Sequence, residues 1–128
     1  MANAPRWEAT PAEDDYAAAG RYLSLLMPDA AASSLAGALA HGQLVPHRAN
    51  DLLRASSLVL LPPEDPEVAK DLKKVKKGAR LSPVLVVRGT LEGTGRRLTV
   101  ADGYHRICAS YHLDPDAEVP CQIVDLPS

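Results

Sequence analysis

The sequence predicts a small α/β domain of the α+β kind, a mixed sheet with helices, preceded by an Ala-rich helical extension. Three observations point there. The first 50 residues hold 14 alanines in a helical pattern. From Leu58 onward, short apolar runs bounded by Pro and Gly alternate with segments of helical period. At 128 residues, 46% of them hydrophobic, the chain can build one core. The division expected is a helical extension over 1–57 and an α/β domain over 58–128.

Within the extension, Thr10-Pro11-Ala12-Glu13 reads as an N-cap, a first-turn proline and a capping-box glutamate, so a helix is expected from there to about Met27. Tyr16, Leu23, Leu26 and Met27 form its apolar stripe. Pro28-Asp29 interrupts, and a second helix runs to about His41 with Gly42 as its stop. A third, from Pro46 to Ala55, places Ala49, Leu52 and Leu53 on one face.

In the second part, Leu58-Val59-Leu60-Leu61 before Pro62-Pro63 reads as a strand and turn. A helix from about Glu64 to Lys77 sets Val68, Leu72 and Val75 against a face of lysines, and all five lysines of the chain (Lys70, Lys73, Lys74, Lys76, Lys77) lie on it. Val84–Val87 is apolar on both faces, as a buried strand would be. Gly89 to Gly95 is a turn-rich loop, and Leu98–Ala101 returns. Tyr104, Ile107, Cys108 and Tyr111 repeat at i, i+3, i+4, i+7, predicting a helix that ends before Pro115. Val119–Val124 is the last strand, with Pro120 near its start, where a missing donor is tolerated.

A net charge of -2 argues against a general polyanion binder, and no sequence-specific DNA binding is expected. Cys108 and Cys121 have neither CxxC spacing nor nearby ligands, so both are expected to be reduced, buried thiols, and no metal site is expected. No apolar run reaches the length of a membrane span, and Glu8, Glu13, Asp14 and Asp15 replace the basic start of a signal peptide. A cytoplasmic protein without membrane partners is the expectation.

One turn has the composition of a ligand site. A strand ending in Asp102-Gly103 and opening directly into a helix presents unpaired N–H groups at the positive end of the helix dipole. Gly103 admits close approach of the backbone, and His105 and Arg106 fall in the first turn, suited to phosphate or carboxylate oxygens. The structural alternative is that Asp102 caps the helix and Arg106 pairs with a carboxylate. The lysine face reads as a solvated surface. Arg96-Arg97 sits at a hairpin, and Ser56-Ser57 and Ser110 lack a hydrolase context.

The stretches GARLSPVLVVRG, LTVADGYHRICASYHL and VPCQIVD follow one another as the conserved end of ParB/sulfiredoxin-fold domains does, and LVLLPPEDPEVAKDLKKVKKG resembles that family's first strand and helix. The resemblance covers about residues 58 to 125. It implies that Gly103, Tyr104, His105 and Arg106 bind phosphate, because the family's G-E-R-R and G-C-H-R turns hold nucleoside triphosphates. Tyr104 stands where sulfiredoxins carry their cysteine, so sulfinic acid reduction is not expected. The centromere-binding role of ParB is not expected either, as the sequence leaves no room for the downstream helix-turn-helix domain.

The function so implied is that of a nucleotide- or phosphometabolite-binding protein, with a magnesium nucleotide as cofactor or substrate and phosphoryl transfer or nucleotide hydrolysis as the reaction class. Turnover itself is left open. The base is not identifiable in the sequence, and Asp102 is the nearest candidate. The alternative is a non-catalytic adaptor that binds a protein partner, or its own copy as a homodimer, through the N-terminal helices.

Overall fold

Helix α1 (Glu13–Leu23) starts at Ala12, whose N–H donates to Asp15 Oδ2 at 3.2 Å, so Asp15 rather than Glu13 closes the capping box. It stops four residues short of Met27, because residues 24–27 form tight turns that bond back to Gly20, Tyr22 and Leu23. Helix α2 (Asp29–Leu39) follows Pro28 and is closed by the Gly42 N–H on Leu39 O. The computed structural model describes residues 4–91 and 93–127, and it shows a small α+β fold with a mixed four-stranded sheet and a separate parallel pair.

The parallel pair is β1 (Arg6–Trp7) with β3 (Arg80–Leu81). The main sheet joins β2 (Leu44–Arg48), β6 (Glu118–Asp125), β4 (Val84–Arg88) and β5 (Leu98–Asp102), in that spatial order. β6 lies parallel to β4 and antiparallel to β2, and β4 is antiparallel to β5. Three helices complete the fold: α3 (Ala49–Ser56), α4 (Pro66–Lys76) and α5 (Tyr104–Leu113).

Two expected elements differ. Residues Leu58–Leu61 form no strand: the segment joins no ladder, and side chains of α5 bond two of its carbonyls. The Tyr104 hydroxyl donates to Val59 O, and His112 Nε2 lies 2.7 Å from Leu61 O. The strand that does enter the sheet from upstream is β2, where a loop and the start of a helix were expected. Pro46 lies inside β2, and the helix begins only at Ala49. Pro46 faces Pro120 across the β2–β6 register, before the pairing of β6 with β4 begins at Cys121. Two residues without donors therefore meet where no ladder bond is lost.

The sheet is covered on both faces. Val84 and Val86 point to one core together with Leu52 of α3, Val68 of α4 and Ile107 and Cys108 of α5. Leu85 and Val87 point to the other, with Ala19 and Leu23 of α1 and Leu35 and Leu39 of α2. That is why β4 is apolar on both sides: all four residues are fully buried. Both cysteines are buried, unpaired thiols.

Candidate functional site

The register of β5 on β4 shifts between Leu85 and Val86, leaving Ala101 bulged just before Asp102 and Gly103. Bulges of this kind re-aim a strand end. Gly103 then takes a φ of 112° as the N-cap of α5, a conformation that L side chains rarely adopt. A Cβ at this position would stand 2.3 Å from Val84 Cγ1, so any side chain here collides with β4. Glycine is required on both grounds. It also leaves α5 without a side-chain cap.

Asp102, the alternative cap, is used otherwise. Its Oδ2 accepts from Arg106 Nη2 at 2.7 Å. Arg106 Nη1 lies 3.7 Å from Asp15 Oδ1 on α1. Asp15 is in turn anchored by the Ala12 N–H and by the Ser82 hydroxyl, which donates to Asp15 Oδ2. Two carboxylates thus bracket one guanidinium, and the side chains of Asp15, Arg106 and Asp102 are 16%, 15% and 20% exposed. Burial pushes the Asp102 carboxyl above the usual carboxylate range; Arg106 opposes that shift and the neighbouring Asp15 adds to it. Arg106 Nε is buried with no acceptor among the described residues.

The open end of α5 faces a cleft of about 710 Å³. Its walls come from five parts of the chain: residues 8–12 and Asp15, Glu67, Asp71 and Lys74 of α4, Arg80 to Ser82, Asp102 and Gly103, and His105 with Arg106. Glu67, Asp71 and Lys74 follow at i, i+4 and i+7, a polar stripe that α4 turns to the cleft beside its apolar one. Asp71 is 8% exposed. Desolvation raises its pKa above the ordinary value, against the pull of Lys74, Arg106 and His105. A perturbed carboxylate lining a cleft marks a functional candidate.

Of the expected site residues, Gly103, His105, Arg106 and Asp102 come together in the cleft wall. His105 Nε2 lies 3.9 Å from Asp65, the residue that caps α4 through the Glu67 and Val68 N–H groups. The Tyr104 ring packs on the core on the α3, α4 and α5 side, leaving its backbone N–H as its contribution to the helix end. Cys108 packs into the same core, and burial raises its thiol pKa, so it offers little thiolate. Asp15, Asp71, Lys74 and Ser82 are the residues that sequence reading missed. The stripe on α4 was there to be found at helical period. Asp15 and Ser82 carry no local signal, since they meet across 67 residues.

No family model, curated protein or solved structure matches this chain.

Proposed function

We propose that the protein binds a nucleotide or a phosphorylated metabolite in this cleft, in the manner its resemblance to ParB/sulfiredoxin domains implies, and that it transfers or hydrolyses a phosphoryl group. The observation that carries the reading is the uncapped N-terminus of α5, opened by a glycine that no other residue can replace, in a cleft that also holds Lys74, Arg80, His105 and Arg106. Free amides at a helix start favour an anion, and Lys74, Arg80 and Arg106 add to that field against the five carboxylates of the cleft wall. Among the described residues no side-chain hydrogen bond engages Asp71, which makes it a better proton acceptor than Asp102, held as that residue is by Arg106. Magnesium arriving with a nucleotide needs only one or two carboxylates besides phosphate oxygens, and the donor set of the cleft fits that demand. Bound there, it would neutralise phosphate charge.

The test is a thermal-shift panel of nucleoside di- and triphosphates, pyrophosphate and phosphate, with and without magnesium. A ligand at 100 times its Kd adds about 2.7 kcal/mol of apparent stability, well within reach of the method. Silence across the whole panel would remove the reading. A second reading is a protein partner or a homodimer on the helical side, where Leu25 stands 81% exposed just after α1. Self-association in light scattering, together with a silent panel, would select it. Among the described residues no helix is long and apolar enough to cross a membrane, and we place the protein in the cytoplasm as part of the same proposal.

A further inference from the structure

We infer that Asp15 is a built-in counter-anion of Arg106, contributed by α1, which restrains anion binding in the cleft. The inference rests on the anion-binding reading above and adds a specificity-determining residue to it. Arg106 Nη2 is already bonded to Asp102 at 2.7 Å, which fixes the guanidinium. Asp15 stands 3.7 Å from Nη1, inside ion-pair range and beyond hydrogen-bond length. It therefore acts on Arg106 by charge more than by positioning. With both carboxylates ionised, the cluster carries a formal charge of one negative, although it contains the arginine nearest the open end of α5.

The placement of Asp15 is built into the fold. Its Oδ2 is occupied by the Ala12 N–H and by the Ser82 hydroxyl, so its Oδ1 is left to face Arg106. The other charged or titratable groups of the cleft are Glu8, Glu67, Asp71, Lys74, Arg80 and His105. A phosphate entering beside Arg106 meets the field of Asp15 at close range in a partly desolvated site, where charges act strongly. The consequence is selectivity: the cleft disfavours a bare dianion at Arg106 and favours phosphates whose charge is spread, esterified or accompanied by magnesium.

Asp15→Asn separates charge from shape, because the amide oxygen can still accept from the Ala12 N–H and the Ser82 hydroxyl. Pyrophosphate without magnesium is the probe, titrated by calorimetry into the wild type, Asp15→Asn, Arg106→Gln and the double variant, with melting curves to confirm folding. The expected result is binding about three- to tenfold tighter in Asp15→Asn, with the gain absent when Arg106 is Gln. Weaker or unchanged binding in Asp15→Asn would overturn the inference and leave the anion site standing. The same gain in the Arg106→Gln background would overturn it too, since Asp15 would then act on the ligand independently of Arg106. No binding by either the wild type or Asp15→Asn would remove the inference, and the anion-binding reading would then be decided by the nucleotide and magnesium arms of the thermal-shift panel.

Discussion

The Asp71 carboxylate is 8% exposed on the cleft-facing stripe of α4. Desolvation raises its pKa above 3.8, while Lys74, Arg106 and His105 pull it down and Glu67 adds to the rise. A folded-state pKa above the unfolded one means that the native protein holds the proton over a wider range. The stability this group contributes is complete below the ordinary carboxylate range and is lost as pH rises through the elevated value. Once ionised, Asp71 is therefore a burden on the fold, as is common where a side chain serves a site rather than stability. Asp71→Asn is expected to melt a few degrees higher than the wild type at pH 7, with the gap closing as pH falls to the acid side. Melting curves across pH check this; a lower Tm for the variant at pH 7 would mean that its attraction to Lys74 and Arg106 outweighs its desolvation. Of the other site residues, Gly103, His105 and Arg106 could be read from the strand-to-helix turn alone. Asp15 could not, because its role comes from a helix that tertiary packing brings to Arg106.

The segment 58–61, which joins no ladder, and the edge strand β2 make the same point at the level of elements. Four apolar residues before two prolines look like a strand, yet Leu58, Leu60 and Leu61 bury themselves against the core on the α5 side, and α5 side chains satisfy the carbonyls of Val59 and Leu61. Burial without a ladder leaves the same pattern in sequence as burial with one. β2 was illegible for the opposite reason. All five of its side chains are exposed and it contains Pro46, so it has no alternation to read and is defined only by its pairing with β6. By contrast β4, α4 and α5 were legible, since their apolar periods reflect packing on one or both faces. If Tyr104 and His112 hold segment 58–61 down, Tyr104→Phe combined with His112→Ala removes two hydrogen bonds worth roughly 0.5–1.5 kcal/mol each. The expected outcome is faster hydrogen exchange at Val59, Leu60 and Leu61, with protection of α5 unchanged. Equal exchange in both proteins would assign the anchoring to Leu58, Leu60 and Leu61 themselves.

The whole molecule is a sheet between two helical layers, and its N-terminal layer cannot be peeled away without consequence. Helices α1 and α2 cover Leu85, Val87 and Ala101, while β2, also from the N-terminal side of residue 57, pairs with β6 along five positions. Deleting residues 1–42 would leave β2 in place and strip one face of the sheet. Leu23, Leu35 and Leu39 would be gone, and Leu85 and Val87, now fully buried, would meet water. Burying a large aliphatic side chain stabilises by about 1.5–3 kcal/mol, so the loss across these five is comparable with the 5–15 kcal/mol by which a domain is stable at all. Unpaired polar groups at the cleft add to it, because Asp15 leaves with α1 and Ser82 loses its acceptor. The truncated chain is therefore expected to aggregate on expression or to show no cooperative melt. A cooperative transition near the wild-type Tm for residues 43–128 would mean that the α3, α4 and α5 face alone supports the sheet, and that α1 and α2 serve the cleft rather than the fold.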